Sequence, residues 1–356
     1  MRNNNFDILR LLCAMFVIVS HSYALLGMKN GEVLHSLTNG IILSDIGLCG
    51  FFTISGYLIY QSLINSRNIV SYLGKRCLRI FPGILVCLIL VVIVCSFVYN
   101  GDGAYYKQLE TYMFVLRNIL LYPVQWGISG VFEQNPISTV NGSLWTLAYE
   151  FTMYLLLIIL FFVRNPKVKI ALVATCIIGL LTKNTIFAGN FNNTEICYLN
   201  VSSFSRFAQY FAVGVLMQML SVATWTQKSK MIVLSVCSTL VLALVSIHTY
   251  IHTYIHTYIH TYIHTIALTM LCLSVVFIVV GEMCWNSICR FVHKMGDLSY
   301  GTYIYAFPIS QLLITQISGL NPIILTLLTL LIVLPIAYLS WRYIEKPALA
   351  LKQYLQ

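Results

Sequence analysis

Long apolar stretches of helix length follow one another along almost the whole chain, and short polar segments separate them. A helix that crosses a bilayer needs about 20 predominantly apolar residues. Stretches of about this length predict ten membrane-spanning helices, at residues 7–27, 40–62, 80–99, 144–163, 169–183, 203–221, 230–247, 265–282, 297–318 and 321–341. Ten such helices with short loops nearly exhaust the chain. We therefore expect one all-α, membrane-embedded domain over residues 1–356.

The amino-acid composition narrows the class of protein. Hydrophobic residues make up 59% of the 356 positions and charged residues 9%, whereas about a quarter of an ordinary soluble domain is charged. This excludes a soluble enzyme, a disordered tail and a nucleic-acid-binding protein with a basic face. We expect the lipid bilayer, and no nucleic acid, among the partners. The first apolar stretch contains Arg10 and His21, so we expect a retained helix rather than a cleaved signal peptide.

Lysine and arginine are distributed unequally between the two sets of connecting segments. With a cytoplasmic N-terminus, the outer segments hold Lys29, Lys107, Arg117 and Lys183, and the inner ones hold Arg2, Arg67, Lys75, Arg76, Arg79, Arg164, Lys167, Lys169, Lys228, Lys230, Arg290, Lys294, Arg342, Lys346 and Lys352. Basic residues concentrate on the cytoplasmic side of membrane proteins. We therefore expect both termini in the cytoplasm. The larger outer loops, at 100–143 and 184–202, are rich in aromatic residues or Asn, which suits a carbohydrate but is also ordinary at a membrane interface.

The cysteines and the histidines raise the question of a metal site. Most of the eleven cysteines lie in apolar stretches, where Cys behaves as a small hydrophobic residue, so we expect no structural disulfide. Residues 247–266 repeat Ile-His-Thr-Tyr, with histidines at 248, 252, 256, 260 and 264. Successive histidines four residues apart drift by about 40° round a helix. That drift is poor geometry for one closed site, and we expect no bound metal.

The genetic code offers another interpretation of this repeat. The codons ATA, CAT, ACA and TAC spell Ile, His, Thr and Tyr in that order, and together they are a tandem ATAC tetranucleotide read in threes. Such a tract slips during replication, and one unit gained or lost shifts the frame for everything after about residue 266. Our hypothesis is a genetic on/off switch (phase variation), typical of a bacterial surface structure that benefits from being variable.

Charged residues inside the predicted spans are functional candidates, because a buried charge is costly in a membrane. Arg10 and His21 are eleven residues apart, which on a helix is about 20° past three full turns and a rise of about 16 Å. Both side chains therefore share one face, with Arg10 in the inner half, His21 in the outer half and Ala14 between them. The alternative is an interior histidine beside an arginine that reaches the inner surface.

Two acidic residues are expected near His21. If the fourth span enters from outside near Leu144, Glu150 lies about 9 Å down, a depth that His21 matches, and Asp45 is slightly shallower. A carboxylate beside an imidazole orients the ring and stabilises its protonated form in a general base. A structural ion pair is the alternative interpretation.

A pair of arginines precedes the third span. Arg76 and Arg79 are three residues apart, so they share a helix face and are able to grip phosphate groups. Their simpler interpretation is that they fix the topology, and for Lys75 we prefer that interpretation.

In these and other residues the chain resembles the acyltransferase family 3 of integral-membrane acyltransferases, from about residue 6 to 351. The matching features are Arg10 and His21; Gly47-Leu48-Cys49-Gly50-Phe51-Phe52-Thr53-Ile54-Ser55-Gly56-Tyr57; Arg76-x-x-Arg79 with Phe81-Pro82; Ser143-Leu144-Trp145-Thr146-Leu147-x-x-Glu150; Arg206 with Phe211-x-x-Gly214; Ser299-Tyr300-Gly301-Thr302-Tyr303; and Glu345-Lys346-Pro347. We do not expect the outer hydrolase-like domain that is fused to some members.

The resemblance implies an enzyme of the bacterial inner membrane. Members move an acyl group, usually acetyl, from a cytoplasmic thioester donor such as acetyl-CoA to a hydroxyl of an envelope glycan or a lipid-linked precursor. Arg76 and Arg79 would hold the coenzyme A phosphates, Arg10 would steady the arm or the thioester oxygen, and His21 would be the base, oriented by Glu150 or Asp45. The expected substrate contacts are Ser143, Trp145, Tyr154 and Arg206. The main alternative is a transporter or flippase, whose intramembrane charges line a path.

Overall fold

The fold was described from a computed structural model that covers residues 4–38, 40–186, 194–254, 259–283 and 296–355. This part of the chain is mostly helical, with one two-stranded antiparallel hairpin, Glu195–Ile196 and Leu199–Asn200. The helices are α1 Phe6–Leu25, α2 Val33–Thr38, α3 Leu43–Ile64, α4 Ile69–Cys95, α5 Leu109–Leu120, α6 Trp145–Leu157, α7 Ile159–Phe162, α8 Pro166–Ile186, α9 Val201–Met219, α10 Gln227–Tyr254, α11 Ile259–Gly281, α12 Ser299–Gln316, α13 Pro322–Ser340 and α14 Lys346–Ala350.

The all-α membrane architecture is confirmed. Within the described ranges, seven helices are long and apolar enough to cross a membrane: Phe6–Leu25, Leu43–Ile64, Ile69–Cys95, Trp145–Phe162, Gln227–Tyr250, His264–Gly281 and Pro322–Leu355. The other three predicted spans coincide with the long helices α8, α9 and α12, which are not among these seven. The count of ten spans therefore stays a prediction.

The core of the bundle forms around α3, which packs chiefly against α1 and α9. Two glycines allow α3 and α9 to approach closely. A Cβ on Gly56 would overlap the carbonyl of Phe211, and a Cβ on Gly214 would overlap the carbonyl of Thr53. These glycines lie in two of the segments that carry the family resemblance. Their part in those segments is backbone contact between helices, not chemistry.

A network of charged side chains at the start of α1 and α12 marks one end of the bundle. Arg10 and Asp297 meet Arg79, from the first half of α4, where α1 and α12 begin, and we call this the basic end and the opposite one the distal end. The C-terminal segment packs on α4 at the basic end, with Leu355 against Gly74. Asp7 and Leu349 line one cavity there, so both terminal segments lie at the same end. Which side of the membrane this end faces stays a prediction.

The chain before α6 runs into the interior of the bundle. The Asn141 amide donates to the carbonyl of Ile304 on α12 (2.9 Å), and the hydroxyls of Thr146 and Tyr303 are 2.7 Å apart. Ile304 is twelve residues, or about 18 Å by helical rise, from the distal end of α12 at Gln316. The expectation that the fourth span enters from the membrane surface near Leu144 is therefore wrong. Its helix begins at Trp145, deep inside the protein.

Candidate active site

Four charged side chains form a buried network at the basic end. Asp297 accepts a hydrogen bond from Arg10 (2.9 Å) and another from Arg79, and Arg79 also lies 3.6 Å from the Glu345 carboxylate. The backbone N–H and the hydroxyl of Ser299 donate to the second Asp297 oxygen at 3.2 and 2.5 Å. Arg10 and Arg79 thus share one carboxylate, which offsets the cost of burying two positive charges.

A cavity of about 610 Å³ opens beside this network. Its volume is within the range that small-molecule and cofactor sites occupy, roughly 300–1,000 Å³. The polar and charged residues of its wall include Asp7, Arg10, Ser55, Gln61, Ser62, Asn65, Lys75, Arg76, Arg79, Tyr154, Asp297 and Lys352. Cationic residues outnumber acidic ones in this wall, so the cavity suits an anionic ligand.

A second, much smaller cavity continues from Arg10 into the bundle. It measures about 30 Å³, and Arg10 lies in the walls of both cavities. The other residues of this aromatic chamber are Leu48, Phe51, Phe52, Thr146, Leu147, Glu150, Tyr300 and Tyr303. The Glu150 carboxylate accepts hydrogen bonds from the hydroxyls of Ser55 (2.6 Å) and Tyr154. Glu150 therefore lies between the large cavity and the aromatic chamber.

The structure does not place Glu150 beside His21. Ser20, next to His21, accepts from the N–H of Ser44 on α3 (2.8 Å), whereas Glu150 contacts Ser55 of the same helix. Eleven residues of α3 separate these levels, or about 16 Å. Because α6 starts inside the bundle, Glu150 lies near the level of Arg10 and not of His21. The sequence-based expectation of matching depth is corrected accordingly.

Asp45 lies at the level of His21, but its carboxylate has another partner. Arg206 donates to Asp45 at 3.2 Å, with 42% of the Arg206 side chain and 24% of the Asp45 side chain exposed. The Arg206 guanidinium also lies over the ring of Phe207, 5.1 Å from its centroid. In the described part of the chain, no hydrogen bond joins Asp45 to His21.

His21 lies in an aromatic, weakly polar environment. Its ring packs edge-on against Phe307, with ring centroids 5.1 Å apart. Phe307 in turn lies so close to Gly142 that a Cβ there would overlap the ring. Gly142 is between Asn141, which anchors the segment to α12, and Ser143. The Ser143 hydroxyl is buried and has no hydrogen-bond partner within the described ranges. His21 and the Ser143 segment thus meet across one phenyl ring.

The remaining predicted contacts occupy two different places. Trp145 packs edge-on against Tyr149 and tilted against Phe207, with centroids 5.3 and 5.5 Å apart, so it is part of the aromatic core. Tyr154, by contrast, lines the large cavity and donates to Glu150.

Within the described ranges, no group of three or more His, Cys, Asp or Glu is placed to hold a metal. His248 has its Nδ1 3.2 Å from the Thr265 hydroxyl. The side chains of His252, His256 and His260 lie outside the described residues, as do Arg290 and Lys294.

Sequence reasoning missed Asp297. It lies directly before an apolar stretch, and an acidic residue at such a position is usually interpreted as part of a loop. Its partner Arg10 is 287 residues away in the sequence. The available signal was topological, since Asp297 begins the ninth predicted span on the side where Arg10 and Arg79 were also expected.

The comparisons with known proteins identify the family of the chain. The family model of an acyltransferase domain, acyltransferase family 3, matches residues 3–342. The chain belongs to this family. This acyltransferase is 28% identical to the O-acetyl transferase of Shigella phage Sf6, over 97% of its own length and 96% of the relative's. It is 31% identical to nodulation protein 10 of Rhizobium leguminosarum bv. viciae, over 60% of its length and 59% of the relative's. No solved structure matches it.

Proposed function

We propose that this acyltransferase moves an acetyl group from cytoplasmic acetyl-CoA to a hydroxyl of a cell-envelope glycan or of its lipid-linked precursor. The protein would cross the bacterial inner membrane ten times, with the basic end and both termini in the cytoplasm. Acetyl as the acyl group is supported by the phage Sf6 relative, which is described as an O-acetyl transferase.

The observation that carries the proposal is the cationic cavity at the basic end, joined through Arg10 to the aromatic chamber. Coenzyme A has a nucleotide end with several negative charges and a long neutral arm that ends in the thioester. The large cavity suits the charged end, and the aromatic chamber, at about 30 Å³, would have to widen to admit the arm. His21 lies about 16 Å beyond Arg10 on the same face of α1, which is where the thioester would arrive.

The chemistry would take place at the distal end. His21 accepts the proton of the acceptor hydroxyl while the oxygen attacks the thioester carbonyl. The new C–O bond forms, the C–S bond breaks, and the proton passes from the imidazolium to the departing thiolate. The unpartnered Ser143 hydroxyl is a donor for the carbonyl oxygen as negative charge develops there. Glu150 faces the donor arm in this scheme and does not orient His21.

The decisive experiment compares envelope glycans from cells with and without the gene by mass spectrometry. An acetyl mass that disappears with the gene, and with His21→Ala at equal membrane levels, supports the enzyme. A changed amount of glycan with unchanged acetylation would support the flippase alternative instead.

A further inference from the structure

The cations of the large cavity fall into two groups by their partners. Arg10 and Arg79 hold Asp297, and Arg79 lies near Glu345 as well. Lys75 and Arg76 hydrogen-bond to neutral groups instead: Lys75 donates to the Ser66 hydroxyl and Arg76 to the Ser62 hydroxyl, each at 3.2 Å. Within the described ranges, neither of these two forms an ion pair.

Arg76 also has an unused donor. Its Nε, like that of Arg10, is buried and makes no hydrogen bond to any described residue. A buried N–H without a partner costs free energy, which a ligand acceptor recovers on binding. The neighbouring serines stand one turn apart near the end of α3, so they hold the two cationic side chains at the cavity wall without neutralising them.

We propose that Lys75 and Arg76 bind the phosphates of the donor, whereas Arg10 and Arg79 maintain the cavity by holding Asp297. This assignment rests on the proposed function. A phosphate that approached Arg79 would have to compete with buried carboxylates and would be repelled by them. At Lys75 and Arg76 it meets positive charge that forms no ion pair with a described carboxylate. Lys352, from the C-terminal segment, lines the same cavity and adds to its positive potential.

The assignment reverses two expectations from the sequence. Lys75, interpreted as a topology signal, becomes a ligand of the donor. Arg79, expected to grip phosphate, becomes a positioning residue for Asp297.

The test measures binding of free coenzyme A, and of coenzyme A without its 3′-phosphate, to detergent-purified protein by isothermal titration calorimetry. The variants are Lys75→Gln and Arg76→Gln, and the control is Lys228→Gln, an exposed lysine at the start of α10. Loss of a charge-assisted hydrogen bond predicts about tenfold weaker binding, or more, for each variant. The control should bind as the wild type does. Binding by the variants should also depend less on salt.

A second readout identifies which phosphate the pair holds. If the pair holds the 3′-phosphate, removing that phosphate weakens binding to the wild type but has little effect on at least one variant. If it holds the diphosphate, both variants lose affinity equally for both ligands. Lys75→Gln and Arg76→Gln that bind coenzyme A within twofold of the wild type would overturn the assignment while leaving acetyl-CoA as donor. A wild type that binds no coenzyme A would overturn the donor, and this inference with it.

The tetrapeptide repeat carries a second inference, independent of the first. Four complete Ile-His-Thr-Tyr copies run from Ile247 to Tyr262, and Ile263-His264-Thr265 follows. Possible tetrapeptides outnumber tetranucleotides by roughly several hundred to one, so few peptide repeats of this kind are able to arise from a tetranucleotide. The Ile-His-Thr-Tyr repeat is able to arise in this way, because three ATAC units encode one copy.

The position of the repeat in the chain determines what each change of tract length would do. A one-unit change alters every residue after the repeat, including Asp297 and Glu345, the carboxylates beside Arg10 and Arg79. A three-unit change keeps the reading frame and adds or removes four residues within the repeat, none of which lines the cavity.

We infer that the repeat switches this acyltransferase on and off by slippage of its gene. The test is to sequence the tract from many single colonies of one culture and measure glycan acetylation in each. We expect lengths that differ by one unit, with acetylation only in the in-frame colonies. A gene recoded with synonymous codons makes the same protein and should stay active without switching. A natural tract of mixed synonymous codons, or one of invariant length, would overturn the inference.

Discussion

Different kinds of polar group anchor the arginines at the basic end and the segment before α6 at the distal end. At the basic end, Arg10, Arg79 and Asp297 are charged and hold one another in place. At the distal end, the segment before α6 is held by neutral groups: the Gln311 amide donates to the carbonyls of Ile137 (2.7 Å) and Thr139 (2.6 Å). The first arrangement suits an anionic donor, and the second, with its hydroxyls and aromatic rings, suits an uncharged acceptor. One α-helical bundle thereby presents two chemically distinct environments.

Removal of the central carboxylate at the basic end should have the largest effect. Asp297→Ala removes the carboxylate that Arg10 and Arg79 share. The loss of this partner from a buried site costs about 3–5 kcal/mol of stability. We expect most of the variant to be lost on extraction, and the remainder to melt well below the wild type in fluorescence-detected size-exclusion chromatography. Asp102→Ala, in an exposed loop, is the matched control. Equal melting of the two variants would show that the charge network is not structural.

At the distal end, the imidazole should matter for rate and not for folding. His21→Ala removes the proposed base, so kcat should fall by about 10² or more, while membrane insertion and coenzyme A affinity stay at wild-type values. His35→Ala, on the short α2 helix, serves as the control. Turnover within a few-fold of the wild type would make His21 a structural residue and remove the proposed mechanism.

A smaller effect is expected from the neutral anchor of the distal end. Gln311→Leu leaves two carbonyls without their donor, which costs about 1–3 kcal/mol and loosens the segment that carries Ser143. We expect a several-fold rise in KM for the acceptor with little change in KM for acetyl-CoA. Gln227→Leu, at the exposed start of α10, is the control. A rise in the donor KM instead would mean that the two ends are not separate sites.

The sequence was sufficient to predict the helices and the residues that share one face of a helix. Apolar stretches end near the membrane–water interface, so the predicted span 203–221 corresponds closely to the helix Val201–Met219. Arg10 and His21 share a helix face because the rise and turn of an α-helix are fixed.

The sequence was not sufficient for depth or for partners on other helices. An apolar run before Glu150 does not reveal whether its helix starts at the surface or in the interior, which is why the depth of Glu150 was wrong. Asp297 was missed because its partners are distant in the chain. The glycines at 56 and 214 were recognised as part of a pattern, but their close helix contact appears only in the folded structure.

Transfer across a membrane between two separate sites is the central claim, and sided proteoliposomes test it most directly. The acyltransferase is reconstituted in vesicles, and those with the basic end outward are isolated by binding to an affinity tag at the C-terminus. Glycan acceptor from cells that lack the gene is enclosed, and radiolabelled acetyl-CoA is added outside. We predict label on the enclosed glycan, and none when donor and acceptor are both outside. Labelling only when both are on the same side would contradict the account.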